Sequence, residues 1–428
     1  MRITIDPRIF ISPPYVECPK CKKPDYGVIS IHSFSYTRRC RACWHTESYS
    51  LPKLKKKVIY LDQMVISEMM KLLHPTTEIT RRVRVKGVWK EVFAKLDRLV
   101  KLQLIICPDS TTHLHESLVT PHYQLLRRMY EHLSNGVSFY DEETIKRFQI
   151  IVNFRKWLGK KTQEIDLYSV LHGDDIDGWQ DRIRISVDMF GQDKDLPERI
   201  RSDRDQIDSY MQTVFKRWQS EKGKVFNDWY EEEVGQFGIM ILKSYLQSLQ
   251  RHYSAAMGDP NARLDWLLPS STVTLVSEIQ DELKEKGTPE DQLLLKTTEY
   301  FKSEDIKEVS YGRISAMLFA AVARKAASGK KKPPTRGFVN DVKTIASLAP
   351  YCDAMFVDKE CHTYLKEEPV KTRLGLHTQF FSQLDINVFL NYLDKIERSA
   401  SKKHLEKVKE IYGEDWGSPF FEMFEYDP

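Results

Sequence analysis

Short apolar runs that end at an acidic residue are the most informative pattern along this chain. Residues 58–61 are apolar and precede Asp62, and residues 354–357 are apolar and precede Asp358. Such runs, when turn chemistry follows them, are typical of buried parallel strands. Ligands of open α/β sheets gather at the carboxyl ends of these strands. The pattern therefore predicts that the two carboxylates face one crevice, although they lie far apart in the chain.

Two further carboxylates belong to other predicted elements. Residues 102–106 form a third predicted strand, which leads into a helix over residues 111–118 that carries Glu116. Asp341 opens another predicted helix, just before the strand that ends at Asp358. Converging carboxylates without a matching Lys or Arg repel one another strongly unless a hard divalent cation lies among them. The metal-binding residues predicted in this way are Asp62, Glu116, Asp341 and Asp358.

The order of these elements resembles the PIN domain, a metal-dependent nuclease fold in which four acidic side chains hold one or two Mg2+ or Mn2+ ions. The resemblance implies an α/β fold with a PIN-like parallel sheet flanked by helices. It also implies a nuclease that hydrolyses phosphodiester bonds, with RNA expected over DNA. In that role Asp62, Asp341 and Asp358 would hold the first ion, which lowers the pKa of bound water. Glu116 would orient a second ion or the nucleophile.

Several acidic and basic positions also suit roles outside a metal site. An Asp at a strand end is common as the N-cap of the next helix, and this is the role predicted for Asp109, which precedes Ser-Thr-Thr. Asp353 is excluded from the metal site because it lies five residues before Asp358, which corresponds to about 16 Å along a strand.

Arg127 and His132 match the R-x4-H pattern of the metal-independent HEPN ribonucleases, but so short a pattern arises often by chance.

Two CxxC motifs near the start of the chain predict a second metal site. Cys18-Pro19-Lys20-Cys21 and Cys40-Arg41-Ala42-Cys43 are separated by eighteen residues, which is typical of a four-cysteine zinc ribbon. Four thiolates close the coordination sphere, so this Zn2+ is predicted to be structural. The redox alternative lacks a thioredoxin-like pattern around either motif. The residues at the ribbon tip that are suited to stacking on bases and binding phosphates are Tyr36, Arg38, Arg39, Arg41, Trp44 and His45. Alternatively, Trp44 covers the small ribbon core.

Two basic patches flank the acidic motifs in the sequence. One joins the ribbon to the first predicted strand, and the other precedes Asp341. Positive charge beside an acidic pocket would hold the phosphate backbone that carboxylates repel. Solvated loops would have the same composition, and Gly and Pro residues around the second patch favour a turn. The predicted nucleic-acid-binding residues are Lys55, Lys56, Lys57, Lys330, Lys331, Lys332 and Arg336.

Composition indicates a protein with a sizeable core. The chain has 428 residues, of which 41% are hydrophobic and 29% are charged, so two or three domains are expected. Seven cysteines, an odd number, suit a reducing compartment better than a disulfide framework. Neither a signal peptide nor an apolar run of bilayer length is evident, so a cytoplasmic protein without a membrane partner is expected. The net charge of +4 is mild, and any nucleic-acid surface must be local.

The long segment between Glu116 and Asp341 reads as mostly helical and departs from the PIN pattern. It leaves open a different function, in which a catalytically silent PIN-like scaffold binds nucleic acid or a protein partner through the ribbon and the insertion. A toxin or antiphage effector, controlled by a protein regulator or inhibitor, would use the same nuclease chemistry. The predicted segments are a zinc ribbon (1–50), the first half of the PIN-like core (51–120), a helical insertion (121–330), the second half of the core (331–398) and a C-terminal extension (399–428).

Overall fold

The computed structural model describes residues 6–74, 87–182, 195–259 and 268–421. The chain forms a mixed α/β structure. Its strands are β1 Ser12–Val16, β2 Tyr26–His32, β3 Ser35–Cys40, β4 Thr46–Ser50, β5 Lys57–Leu61, β6 Ile105–Ile106, β7 Val137–Phe139, β8 Leu171–Gly173, β9 Ala354–Phe356 and β10 Gln379–Phe381. Its α-helices are α1 Gln63–Leu73, α2 Val88–Lys101, α3 Thr111–Leu118, α4 Tyr123–Ser134, α5 Glu142–Trp157, α6 Leu196–Ser220, α7 Phe226–Ala256, α8 Ser271–Glu285, α9 Leu293–Phe301, α10 Ser310–Ala327, α11 Phe338–Leu348, α12 Lys359–Lys366, α13 Val370–Leu374, α14 Ile386–Ser399 and α15 Lys402–Tyr412.

A parallel sheet in the order β10-β9-β5-β6 forms the centre of the fold. Both faces of β5 are covered, because Val58 and Tyr60 contribute to one hydrophobic core and Ile59 and Leu61 to another. Burial on both faces explains why the strand is a continuous apolar run rather than an alternating one. The parallel sheet flanked by helices is therefore confirmed.

The third strand is shorter than predicted. Residues 102–106 were expected to be extended, but β6 contains only Ile105 and Ile106. Leu102 instead caps the end of α2, and Gln103 has a φ of 60°, which turns the chain between the helix and the strand. The turn takes up the residues that the apolar pattern had assigned to the strand.

Helices cover both faces of the sheet. The helices α1, α2, α4 and α14 pack against one face, and α5, α10 and α11 contribute to the larger core on the other. Residues 142–151, 239–249 and 314–322, which have helical spacing of apolar positions, lie within α5, α7 and α10, so those predictions are confirmed. None of the helices in the described ranges is long and apolar enough to cross a membrane.

The N-terminal region forms an antiparallel sheet in the order β1-β2-β3-β4. It docks on α15 through a buried polar contact, because the Arg38 guanidinium donates to the carbonyl of Glu410 at 2.7 Å and Tyr36 donates to its carboxylate at 2.6 Å. Arg38 is 4% exposed. These two residues therefore fasten the ribbon to the C-terminal helix instead of presenting a surface to bases and phosphates, as the sequence had suggested.

Candidate metal centre

Asp62 and Asp358 lie side by side at the carboxyl edge of the sheet. They follow β5 and β9, which pair in parallel with Leu61 opposite Phe356. Each also caps the next helix, since Asp62 accepts a hydrogen bond from the Met64 amide at 2.7 Å and Asp358 accepts one from the Cys361 amide at 2.6 Å. Asp62 and Asp358 therefore cap helices and also converge at the strand ends. Because a carboxylate has two oxygens, capping with one leaves the other for a ligand.

Glu116 and Asp341 reach the same edge from two helices, α3 and α11. Together with Asp62 they line a small cavity of about 10 Å³, which has room for about one water molecule. Asp341 also lies next to Asp358, since one ligand oxygen of each and the Cys361 Sγ atom all fall within 4.8 Å of one another. The structure thus brings the four predicted carboxylates together.

Burial and mutual repulsion dominate the electrostatics of this acid centre, which consists of Asp62, Glu116, Asp341 and Asp358. Burial raises the pKa of Asp62 to about 6, and the charge of Asp358 adds to the shift. Burial also raises the pKa of Glu116 to about 8, with a further contribution from Asp62. The pKa of Asp341 is raised well above its usual range by burial and by the other three carboxylates. The raised pKa values mean that the ionised carboxylates are unfavourable in this surrounding, and a bound cation would remove that cost, so the centre favours a bound cation.

The donor atoms fit a hard divalent cation, with one exception. Carboxylate oxygens suit Mg2+ and Mn2+, whereas a thiolate suits softer ions. Cys361 is fully buried, and burial raises the pKa of its thiol, so the group stays protonated. The carboxylates are therefore the expected ligands. The sequence contained a signal for this neighbour, because Cys361 lies three residues after Asp358, within the first turn of α12.

An arginine from the helical insertion lies beside the acid centre. The Arg204 guanidinium on α6 is 3.7 Å from the Glu116 carboxylate. An adjoining cavity of about 210 Å³ is lined by Arg204 and by Lys343 of α11, and Thr112 borders both this cavity and the small acidic one. The helix α6 therefore forms an outer wall of the site. Sequence reasoning missed Arg204, since nothing in its surroundings indicates proximity to Glu116.

The acid centre leads to a prediction about stability and pH. The pKa values of Asp62 and Glu116 in the folded protein, about 6 and about 8, lie above their usual values, so the folded state holds protons that the unfolded chain has released. This contribution to stability is fully present below about pH 4 and is lost as pH rises through the raised pKa values. In EDTA, the Tm should fall between pH 5 and pH 8, and Mn2+ should reduce the fall.

Thermal unfolding of the wild type and of Glu116→Gln would test this prediction. The substitution should remove much of the decline above pH 6, because Gln cannot release a proton. Exposed Glu290→Gln on the helical insertion serves as the control and should leave the profile unchanged. Identical pH profiles for the wild type and Glu116→Gln, together with no response to Mn2+, would contradict the raised pKa of Glu116.

The second basic patch lies close to the acid centre. Lys330 pairs with Glu360, two residues after Asp358, and donates to the Tyr364 hydroxyl at 2.8 Å. Lys330 thus anchors its loop beside the centre. Lys331 and Lys332 are exposed, whereas Arg336 pairs with Asp205 of α6. The exposed pair Lys331 and Lys332 is placed where a phosphate backbone could approach.

The first basic patch lies elsewhere, which corrects the expectation that both patches flank the site. Lys57 begins β5, whereas Asp62 follows its end, about 16 Å away at 3.3 Å per residue. Lys56 is 8% exposed and donates to the Gly178 carbonyl at 2.7 Å, and burial lowers the pKa of its ammonium to about 7. Lys56 is therefore a buried structural residue, and Lys55 is exposed at the far edge of the sheet.

Asp109 differs from its predicted role. Ser110, not Asp109, caps α3, because the Ser110 hydroxyl accepts from the His113 amide at 3.2 Å. Asp109 is buried in an ion pair with Arg127 and lies 3.2 Å from a His113 ring nitrogen. Although burial alone would raise it, the pKa of Asp109 is lowered to about 2 by these partners. The ion pair outweighs capping because an unpaired buried carboxylate is costly.

The residues of the HEPN-like pattern are engaged in structural ion pairs. Arg127 pairs with Asp109, and His132 lies 2.6 Å from the Asp97 carboxylate. Asp97 is fully buried. Arg127 and His132 thus bind different carboxylates on the core side of α4, and their spacing follows from packing.

The four cysteines of the two CxxC motifs form a compact cluster, as predicted. The Sγ atoms of Cys18 and Cys43 are 3.6 Å apart, as are those of Cys21 and Cys40, and all four lie within 4.8 Å of one another. Thiolates at 2.3 Å around one zinc would be about 3.8 Å apart, so the cluster has the dimensions of a tetrahedral zinc site.

The two halves of the cysteine cluster share one local conformation. In each half the amide after the second cysteine donates back to the first, from Lys22 to Cys18 at 2.9 Å and from Trp44 to Cys40 at 3.0 Å. Both Lys22 and Trp44 have positive φ, 61° and 63°. Trp44 is 42% exposed. It therefore does not cover the ribbon core and remains open to solvent.

Comparisons of this chain with protein-family models, with curated proteins and with solved structures find no match. A function is therefore inferred from the geometry of the acid centre and the cysteine cluster.

Proposed function

We propose that this protein is a metal-dependent PIN-like nuclease that hydrolyses phosphodiester bonds, with RNA as its substrate. The proposal is supported most strongly by the convergence of four carboxylates from separate elements, three of which line one small cavity while Asp358 lies next to Asp341. Stability alone would disfavour such a cluster, because buried like charges repel. A divalent cation removes this cost, and phosphodiester cleavage is a reaction that cations at carboxylate sites commonly catalyse.

The four carboxylates would have different roles in the reaction. Asp62, Asp341 and Asp358 would supply ligand oxygens for a Mg2+ or Mn2+ ion. When bound, the ion would lower the pKa of an attacking water and offset the charge of the phosphate. Glu116 would orient the nucleophile, and its carboxylate would accept the proton of that nucleophile once a bound cation lowers its raised pKa.

Cations from the insertion and from α11 complete the proposed site. Arg204 and Lys343 line the cavity next to the acid centre. Guanidinium and ammonium groups bind phosphate oxygens through charge-assisted hydrogen bonds. We expect these two residues to hold the phosphate that the carboxylates would otherwise repel, with Lys331 and Lys332 binding the strand farther out. In this arrangement the insertion forms part of the substrate site.

The alternative is a catalytically silent scaffold that binds nucleic acid or a protein partner. The observation that favours it is the position of Arg204, 3.7 Å from Glu116. An arginine there neutralises one carboxylate without a metal ion. The two functions differ in whether the acid centre needs Mg2+ or Mn2+ for any activity.

Cleavage assays with end-labelled RNA and DNA test the proposal. The purified protein should cleave single-stranded RNA in Mn2+ or Mg2+, lose at least about a hundredfold in rate in excess EDTA, and recover when the metal is restored. Heat-denatured protein is the control for contaminating ribonuclease. Cleavage that persists in excess EDTA would refute the metal mechanism, and binding without cleavage in either metal would favour the silent scaffold.

A further inference from the structure

A large cleft lies at the amino-terminal ends of the parallel strands, whereas the acid centre lies at their carboxyl-terminal ends. Its volume is about 770 Å³, and it is bounded by the linker between β4 and β5, the turn before β6, and the α14–α15 hairpin. Lys57, on its rim, begins β5, and Asp62 follows the end of that strand, about 16 Å away. The cleft and the acid centre are therefore separate sites.

The charged side chains that line this cleft are all positive. Among the described residues that line it there is no carboxylate, whereas lysines come from both the linker and α15. Lys57 pairs with Asp353 at 2.7 Å, and Lys407 pairs with Glu410. The cations that form no ion pair with any described residue are Lys53, Lys55 and Lys403. Ammonium groups that share a cleft without counter-ions repel one another, and a bound anion would relieve that repulsion.

The floor of the cleft is apolar and fixed in place. Leu54 is buried there, and the Trp179 indole donates to the Pro52 carbonyl at 2.8 Å. His404 stacks on Trp179, with ring centroids 5.6 Å apart, and its Nε2 atom lies 2.7 Å from the Leu102 carbonyl. These contacts hold the linker and α15 together, so the cleft does not need a ligand in order to form.

An apolar floor beneath a cationic rim matches a ligand with one apolar part and one anionic part. A nucleotide has these features, because its base is planar and its phosphate is charged. The volume also lies within the range of about 300–1,000 Å³ that is usual for small-molecule and cofactor sites. An extended acidic peptide would satisfy the lysines, but it would leave the recessed apolar floor without a matching group.

We propose that this cleft is a second, non-catalytic site that binds a phosphate-bearing nucleotide through Lys53, Lys55 and Lys403. The nucleotide would be either part of a nucleic-acid strand or free in solution. The proposal does not depend on nuclease activity, since none of the cleft residues belongs to the acid centre. It gives the first basic patch a function at a place different from the one that its sequence position suggested.

Fluorescence anisotropy in EDTA tests the proposal with two probes, a fluorescein-labelled 12-nucleotide single-stranded RNA and fluorescently labelled ATP. Lys55→Glu/Lys403→Glu should weaken the binding of at least one of the two probes by at least about tenfold. For the RNA probe, the slope of log affinity against log salt concentration should fall by about 1.4, since each phosphate contact on a single strand contributes about 0.7. Lys222→Glu/Lys302→Glu, which alters two exposed lysines that line neither the cleft nor the acid centre, is the matched control and should retain the cleft's binding.

The two probes distinguish the sources of the phosphate. Loss of RNA binding alone would assign the cleft to a strand, and loss of ATP binding alone to a free nucleotide. Both substituted lysines are exposed, and Lys55→Ala/Lys403→Ala with an unchanged Tm guards against misfolding. The proposal would be overturned if the charge-reversed protein bound both probes as tightly as the wild type, or if neither probe bound the wild type. It would also be overturned if polyglutamate, an acidic peptide, displaced the bound probe while unlabelled RNA and ATP did not.

Discussion

Replacing Asp62 with Asn is expected to abolish cleavage while leaving the fold intact. The substitution removes a charged ligand oxygen, and the loss of metal-dependent stabilisation should lower the rate by about a hundredfold or more. Asn is as good an N-cap as Asp, so the hydrogen bond from the Met64 amide is retained. Removing one of several repelling charges should also leave the metal-free protein at least as stable as the wild type.

The measurement is single-turnover cleavage of labelled RNA at saturating Mn2+, together with thermal unfolding. Asp358→Asn should match Asp62→Asn, and the double variant should be scarcely slower than either, because residues that act as a unit are not additive. Asp353→Asn is the control at the other end of β9, where Asn can still accept from the Val58 amide. Additive losses, or full activity of Asp62→Asn, would remove Asp62 from the proposed mechanism.

The sheet and the acid centre could be predicted because their signals are local. A strand that is buried on both faces must be apolar at consecutive positions, so β5 and β9 are visible as runs. The residue after each run lies at the strand end, and parallel pairing places Asp62 beside Asp358. Glu116 followed from the predicted helix after β6, and Asp341 from the predicted helix before β9. The PIN-like identity of this sheet remains a prediction.

The roles of other charged residues could not be predicted, because their partners are distant in the chain. Arg38 binds the carbonyl of Glu410, 372 positions later, and Lys56 binds that of Gly178, 122 positions later. A basic residue in a basic run looks like a surface residue until its partner is known. Burial then determines its role, since a buried charge without a hydrogen-bonding partner is destabilising.

The insertion illustrates the same limit at a larger scale. Its helices were predictable from apolar spacing, but their placement was not. The contact between Arg204 and Glu116 depends on how α6 packs across α3, and helix packing is set by side chains from both elements. The position of α6 beside the acid centre therefore emerged only from the tertiary structure.

Replacing Cys40 with Ser is expected to remove the zinc and unfold the ribbon. The ribbon has little hydrophobic core of its own, because the cluster around Cys18 and Cys40 contains Tyr26 as its only other fully buried member among the described residues. Structural zinc in small domains supplies about 10–16 kcal/mol of folding free energy, so losing one of four thiolates should remove most of that contribution. Purified wild-type protein should carry about one zinc per chain, as one four-thiolate site requires, and the variant should carry almost none.

Metal analysis and limited proteolysis would show how far the damage extends. Cleavage by protease should begin within residues 12–50 and loosen α15, because Arg38 and Tyr36 anchor the ribbon there. The acid centre is built from the separate parallel sheet, so Mn2+ should still raise the Tm of the remaining fold. Cys107→Ala, at a buried cysteine outside the cluster, should keep its zinc and serves as the control. Wild-type protein prepared without chelators that contained no zinc would show that the four thiols close the ribbon by some other means.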